Sequence, residues 1–557
     1  MNRRGSTLFL VLAFSAALQA QLAAYKTKLF LNEPVYEGSS VSVTGGGAPA
    51  GEGIWVELWR LPQGRRPARS VASTSTNGQG SFTFEGVALE AGDQLFVTLS
   101  RSWNFEREGD LEGWDAEVSD CELEVKDGVL RVRIVDNAGA GGPDGKLDPF
   151  FRAVFLYDPR YYRVIEVRLR NPVPPHPSDP STPFHYLGIF WGAPWEEVNY
   201  LHEAPVKAEM EDFQTYLIPM GKNERNVFPG NQPGEPALQD DLWITEGALN
   251  NTLRFDPINN WPPEDLSLEG QVFEIDTIRI RENLRWEFNN GDLEAIDVMN
   301  SLSGVTVQEG LLRYEVSGES PDPYFFRTLD TGRIDTQYFT RFCIGIEQSE
   351  VAHQWPEGEF AIFFDDADSK AYWDDGGPAG TTTIQRAAAK VPYRTRADAV
   401  FRIDEMTDPP GEWSEDNEVK IAGLRIDFPE VATAGDRIAV DYYGFIPEEP
   451  YGPSALVVVQ QAPPPEATFR RGDVNADGRL NVSDAIRTLE HLFSEKQVPC
   501  LDAADSNDDG VLNIADAIYL LGYLFSGSAP PPEPLSKCNA DPTEDGLSCE
   551  VFEPCSQ

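Results

Sequence analysis

Histidine is nearly missing from this 557-residue chain: there are five, at positions 176, 185, 202, 353 and 491. No two of them stand at the spacing that a zinc-protease helix needs. Gly-x-Ser-x-Gly is absent as well, so neither a metalloprotease nor a serine-hydrolase signature is present. There is no Cys-x-x-Cys, which removes the usual basis for a redox or zinc site. Beyond the first 20 residues no apolar run reaches the roughly 18 residues of a membrane span. Positive charge is scarce too: 45 Lys and Arg face 91 Asp and Glu, a formal net charge of −46. Such a field repels nucleic-acid phosphates and anionic membrane surfaces and attracts divalent cations, so nucleic acid is excluded as an expected partner.

What is present is enough for real cores, with 41% hydrophobic residues and 12 Trp. Single cores stop growing near roughly 250 to 300 residues, so several domains are expected. The chain opens with Arg3-Arg4, the apolar run from Leu8 to Phe14 and small residues to Ala20, the order of a secretory signal, with cleavage expected near Ala20. Export to an extracellular or bacterial cell-surface setting follows, where the six Cys can form disulfides. Four of them, Cys500, Cys538, Cys549 and Cys555, crowd into the last 58 residues, with three pairings open. For Cys121 and Cys343, a bridge between them and two buried free thiols are equally compatible with the sequence.

The expected fold class is mainly β and multidomain. Residues 21–101 alternate short strands such as Ile54–Trp59 and Leu95–Leu99 with Gly-rich turns, a small β-sandwich. The stretch Asn77-Gly78-Gln79-Gly80-Ser81-Phe82, followed by Leu89-Glu90-Ala91-Gly92-Asp93, resembles bacterial immunoglobulin-like domains, which implies a spacer.

Residues 102–284 and 285–446 read as a diverged internal duplication. Trp103-Asn104-Phe105 with Gly109-Asp110-Leu111-Glu112 answers Trp286-Glu287-Phe288 with Gly291-Asp292-Leu293-Glu294. Leu253-Arg254-Phe255-Asp256 answers Leu424-Arg425-Ile426-Asp427, and Phe273-Glu274-Ile275-Asp276 answers Ile438-Ala439-Val440-Asp441. Period-2 segments broken by Pro, Gly and Asp predict a two-sheet jelly roll for each copy. The opening Trp-x-Phe with Gly-Asp-Leu-Glu resembles the galactose-binding-like carbohydrate-binding modules, which implies polysaccharide as a partner. Sugars stack on exposed aromatic faces. The candidates are Trp191, Trp195, Tyr200, Trp243 and Trp261 in the first copy and Trp355, Tyr372, Trp373 and Trp413 in the second. Trp195 and Trp261, beside Pro in loop-like sequence, are expected to be exposed, and with Trp373 and Trp413 they form the ligand set. Core packing is the competing reading for Trp191. Asp136, Asp144 and Asp148 in a Gly-rich loop are weighed as a further structural calcium site, and the acidic run Asp365–Asp375 as a catalytic edge or a calcium site, against ordinary solvated turns.

A Pro-rich linker is expected over 447–468, and then the composition changes to Asp-rich loops and helix formers. Asp473-Val474-Asn475-Ala476-Asp477-Gly478-Arg479-Leu480-Asn481-Val482-Ser483-Asp484 has oxygen donors at positions 1, 3, 5, 9 and 12 and Gly at 6. The same design recurs at Asp505, Asn507, Asp509, Gly510, Val511, Asn513 and Asp516. Alternate residues of such a loop point at one centre, where a hard cation takes six or seven oxygens, with Arg479 and Val511 giving backbone carbonyls. Two Ca2+ ions are the expected cofactors. Each loop runs into an apolar-striped helix, and the loop-plus-helix unit over 469–527, ending in Asp rather than Glu, resembles the dockerin type I repeat. That resemblance implies attachment to a cohesin-like or other extracellular anchoring protein; residues 528–557 form a Cys-rich tail. The sequence thus reads as a non-catalytic, secreted polysaccharide-binding protein associated with polysaccharide degradation. A glycoside hydrolase or polysaccharide lyase site in one jelly roll, and a purely structural surface protein, stay open, because 91 acidic residues name no catalytic pair.

Overall fold

The computed structural model describes residues 28–555 apart from 38–39, 62–67, 117–118, 137–146, 176–183, 193–199, 221–242, 244–248, 260–267, 295, 297, 320–322, 329–333, 336, 348–356, 365–384, 393–396, 407–422, 428–433, 461–467, 495, 544–546, 548 and 550–551. The chain forms two units, Met1–Val459 and Gln460–Gln557. The first is built from antiparallel β-sheets.

At the start of the larger unit, Ser40–Gly46 lies between Phe30–Leu31 and Val35–Glu37 and also pairs with Phe82–Phe84. A second sheet joins Gln94–Thr98, Trp55–Leu61 and Arg69–Ser75. Alternating inward residues, Val43, Val56, Leu58, Phe82, Phe84, Leu95 and Val97, fill the space between the sheets. The expected small β-sandwich is present, but it is finished from far away. Val457–Val458 pairs with Leu95 and Gln94 at the sheet edge, Val459 is buried in the same core, and Ser454 Oγ accepts from Val97 N at 3.0 Å. Residues 447–459, expected to open a linker, therefore belong to the sandwich. Pro450 and Pro453 lie beside a sheet edge, where a missing N–H breaks no ladder.

The two tandem copies repeat one topology strand for strand. In the first, the six-stranded sheet runs Cys121–Lys126, Val129–Ile134, Val272–Arg281, Val164–Arg170, Gln214–Pro219, with Ser100–Trp103 also on Val272–Arg281. In the second it runs Leu302–Gln308, Leu311–Val316, Arg437–Ile446, Arg341–Ile346, Ala397–Arg402, with Leu284–Trp286 on Arg437–Ile446. The facing five-stranded sheets are ordered Tyr200–Lys207, Phe184–Gly192, Asn250–Asp256, Phe151–Tyr157, Trp114–Asp115 and Gln385–Pro392, Glu357–Phe364, Gly423–Asp427, Tyr324–Thr328, Val298–Asn300. Register agrees as well: Leu130 faces Ile275 as Leu312 faces Val440. Even the strained turn recurs, with Phe105 and Phe288 at φ 53° and Glu112 and Glu294 at 49° and 48°. The reason is chemical. Each Glu side chain accepts from the backbone N–H of the Phe, at 2.8 and 2.9 Å, and so holds the left-handed corner. Each copy has its own core, one around Trp103, Trp114, Trp191 and Trp243, the other around Trp286, Phe288, Tyr443 and Phe445.

The smaller unit contains α1 (Val482–Ser494), α2 (Leu501–Ala504) and α3 (Ile514–Ser526). Helices α1 and α3 meet through Ala485, Ala517 and Leu520, with Leu480, Leu489, Leu521 and Leu524 around them. Disulfides join Cys500 to Cys549 and Cys538 to Cys555, choosing one of the three pairings. Cys121 and Cys343 are buried and take no part in these two disulfides. Among the described residues no helix is long and apolar enough to cross a membrane.

Candidate metal centre

Each acidic loop wraps around its own first residue. Asp473 Oδ1 accepts from Asp477 N at 3.1 Å and its Oδ2 from Gly478 N at 2.9 Å. Asp505 does the same with Asp509 N at 3.3 Å and Gly510 N at 2.9 Å. The sharp turn needs left-handed backbone at two alternate positions, supplied by Ala476 and Gly478 in one loop and Asp508 and Gly510 in the other, with φ between 57° and 79°. The closing residue, first on its helix to face inward, ties the loop shut. Asp484 Oδ2 accepts from Asn481 N and Asp516 Oδ2 from Asn513 N, both at 2.8 Å. Their Oδ1 atoms accept from Asn475 N at 3.2 Å and Asn507 N at 3.4 Å. Asn513 caps α3, its side chain accepting from Ala515 N.

The electrostatics of this arrangement are unusual. Asp473, Asp484, Asp505 and Asp516 are each 0% exposed, and among the described residues no Lys, Arg or His lies within ion-pair distance of any of them. Burial raises the carboxyls of Asp473 and Asp484 above the usual range, reinforced by the neighbouring carboxylates of each loop. Burial and the adjacent Asp505 carboxyl push Asp516 to about 7. A buried carboxylate without a counter-charge is expensive. Among the described residues no three His, Cys, Asp or Glu side chains stand at metal-holding separation; the carboxylates rest on backbone N–H groups and must draw in to ligate. The donors still suit a hard divalent cation: every one is oxygen, three carboxylates per loop are joined by the Asn475, Asn481, Asn507 and Asn513 amides, and the carbonyls of Arg479 and Val511 sit at the seventh position.

One residue that sequence reasoning passed over organises the second loop. Arg471 is 0% exposed. Its Nη2 lies 2.9 Å from Asp508 Oδ1 and 2.7 Å from Asp541 Oδ1, and its Nη1 donates to the carbonyls of Asp505 at 2.9 Å and Asp502 at 3.3 Å. Thr543 Oγ1 reaches Asp508 Oδ1 at 2.6 Å, so the tail also holds the loop. An Arg following Arg470 carries no local signal of such a role.

No family model and no curated protein matches the chain. Similar solved structures include a mutant of a family 29 carbohydrate-binding module, at 11% identity and a TM-score of 0.17, covering 29% of this chain and 84% of that one. Another is an exo-β-agarase, at 10% identity and a TM-score of 0.21, covering 38% of this chain and 30% of that one.

The aromatic candidates divide. Trp195, Trp261, Trp373 and Trp413 lie outside the described residues, as do Trp355, Tyr372, Asp144 and the run from Asp365 to Asp375. Trp191 is a core residue, as its core-packing reading had it, and Trp243 is corrected to one; they are 1% and 0% exposed and packed edge to face, and the Trp243 indole N–H donates to Tyr162 O at 2.8 Å, so it needs no outside partner. Asp148, weighed as a calcium ligand, bonds Arg254 at 2.8 Å instead. That guanidinium sits over Phe150 and Phe190 and also holds Asp256, whose carboxyl burial raises to about 6.

Proposed function

We propose that this is an exported, multimodular calcium-binding protein. In this reading the smaller unit takes two Ca2+ ions and attaches the chain to a cohesin-like extracellular partner, while the tandem sandwiches bind polysaccharide. One observation carries the calcium reading: four fully buried carboxylates, repeated in register across two loops, have no Lys, Arg or His within ion-pair distance among the described residues, the Arg471 guanidinium bonding the Asp505 carbonyl instead. A divalent ion in each loop would neutralise them and fix the start of α1 and α3.

The attachment reading is supported by the outer helix faces. Val482, Ile486 and Phe493 are 43%, 50% and 71% exposed, and the residues at equivalent places in the second repeat, Ile514, Ile518 and Phe525, are 50%, 61% and 72% exposed. Apolar side chains left in water at the same positions of two repeats suit a protein partner. The polysaccharide reading rests on the sequence resemblance of the tandem sandwiches.

The deciding experiment is calorimetry of the whole chain with and without chelator. Chelation is expected to abolish the transition of the smaller unit and leave that of the larger unit in place, with titration back giving two Ca2+ per chain. A trace indifferent to chelator overturns the calcium reading.

A further inference from the structure

The two acidic loops share one design but part at their fourth position. The first has Ala476 there and the second Asp508, both in left-handed backbone, at φ 57° and 59°. In loops of this type the ligands come from positions 1, 3, 5, 7, 9 and 12, so the Asp508 carboxylate is free for another task. That task is contact with the tail. Asp508 Oδ1 accepts from Thr543 Oγ1 at 2.6 Å and lies 2.9 Å from Arg471 Nη2. At the same time the Asp508 N–H donates to Asp505 Oδ1 at 2.9 Å. The residue that turns the second loop is thus gripped twice, its backbone by the loop's first carboxylate and its side chain by groups outside the loop. The methyl group of Ala476 can make no such bond. The first loop receives a bond from Arg470 Nη1 to the Gly478 carbonyl at 3.0 Å, from a residue adjoining the loop rather than from the tail.

The tail is anchored where these contacts need it. Cys538–Cys555 closes a ring of chain that contains Asp541, Thr543 and Cys549. Cys549 is in turn bonded to Cys500, which opens α2 just ahead of Asp505. Charge points the same way. Asp508 and Asp541 share the single Arg471 guanidinium, so the cluster adds net negative charge beside the second loop, which favours a cation there. Ligation requires the loop oxygens to converge on one centre. A loop already fixed at its turn loses less conformational freedom in doing so, and the difference appears as affinity.

We infer that the Cys-rich tail is a clasp for the second loop, with Thr543, Asp508 and Arg471 as positioning residues that raise its affinity for Ca2+ by about tenfold and leave the first loop unaided. The inference rests on the calcium reading. Linkage makes the relation mutual: an ion in the second loop also fastens the tail.

The test is hydrogen exchange of the full chain, read by mass spectrometry as Ca2+ is titrated in, which gives a separate midpoint of protection for peptides over 473–484 and 505–516. Thr543→Val removes the hydroxyl bond and keeps the side-chain shape, and Thr543→Ser restores the hydroxyl. Asp508→Gly keeps the left-handed backbone and deletes both side-chain contacts; thermal unfolding in Ca2+ checks that each variant folds, and Thr543→Val decides if Asp508→Gly does not. The expected result is a midpoint about tenfold higher for the second loop in Thr543→Val and Asp508→Gly, a change below about twofold for the first loop, and parent behaviour in Thr543→Ser. Equal shifts in both loops would make the tail a general stabiliser of the unit, and unmoved midpoints would make it a bystander; either overturns the clasp and leaves calcium binding standing. A parent chain in which Ca2+ protects neither loop overturns the calcium reading and the clasp with it.

Discussion

The buried Arg471 guanidinium donates to Asp541 Oδ1 at 2.7 Å, joining the residue just ahead of the first acidic loop to the Cys-rich tail 70 positions later. The same nitrogen reaches Asp508 in the second loop. The tail is therefore part of the loop architecture, and its contacts bear on the stability of the whole smaller unit.

Arg471→Met should destabilise that unit by about 3 to 5 kcal/mol, the range for breaking a buried ion pair from one side. The substitution strands Asp541, Asp508 and the Asp505 and Asp502 carbonyls together. Calorimetry should show the chelator-sensitive transition falling while the transition of the larger unit stays put. An unshifted chelator-sensitive transition would mean that the guanidinium is dispensable.

Asp484→Ala should lower the calcium stoichiometry from two ions to one, and Asp516→Ala should do the same independently. Each closing carboxylate serves its own loop, bonding Asn481 N in one and Asn513 N in the other. Titration calorimetry reads the count directly. Two ions still bound by either variant would show that the twelfth position is not a ligand.

Glu282 should make the larger unit less stable as pH rises. Burial lifts its carboxyl to about 8, despite the N–H groups of Tyr451 and Gly452 and the charge of Lys28, whereas an unfolded Glu titrates near about 4.3. Between these values the folded chain holds a proton that the unfolded chain has released. The stabilisation is therefore complete below about 4.3 and drains away through pH 8. Glu282→Gln keeps an acceptor for the Tyr451 N–H, 3.0 Å away in the parent, and removes the titration. Urea midpoints at pH 5 and 8.5 should fall further for the parent than for the variant; parallel declines would place the pH dependence elsewhere.

The two disulfides should contribute unequally. Their loops span 49 and 17 residues, so chain-entropy arguments assign about 4 kcal/mol to Cys500–Cys549 and about 3 kcal/mol to Cys538–Cys555. Replacing each pair by Ser and comparing urea unfolding of the smaller unit checks the order. The reverse order would show that residual structure or strain outweighs loop length.

Much of this was open to reading in the residues themselves. The acidic loops announce themselves because ligand spacing is local: Asp473 to Asp484 is one turn of chain, and its hydrogen bonds close inside it. The duplication was visible for a similar reason, since Glu112 and Glu294 hold their corners by bonds spanning seven and six residues. The misses are long-range. Val457–Val458 is a two-residue edge strand among prolines, with no period to detect, and only its partner 362 residues earlier makes it a strand. Trp243 sits in loop-like sequence yet is buried by Trp191 and Tyr157. Trp59 reads locally as one more strand aromatic; the guanidinium that covers its ring belongs to Arg279, 220 residues away.

The late strand at Val457–Val458 also sets a schedule for biosynthesis. The N-terminal sandwich has a strand as early as Phe30–Leu31 but lacks an edge until the chain has grown past Val459. Between Leu95 and its partner the ribosome must add 362 residues, which at ordinary elongation rates takes roughly 20 to 70 s. During that interval the edge of Gln94–Thr98 is uncovered, and both tandem sandwiches have time to fold first. The part of the larger unit that is made earliest is thus among the last to be completed.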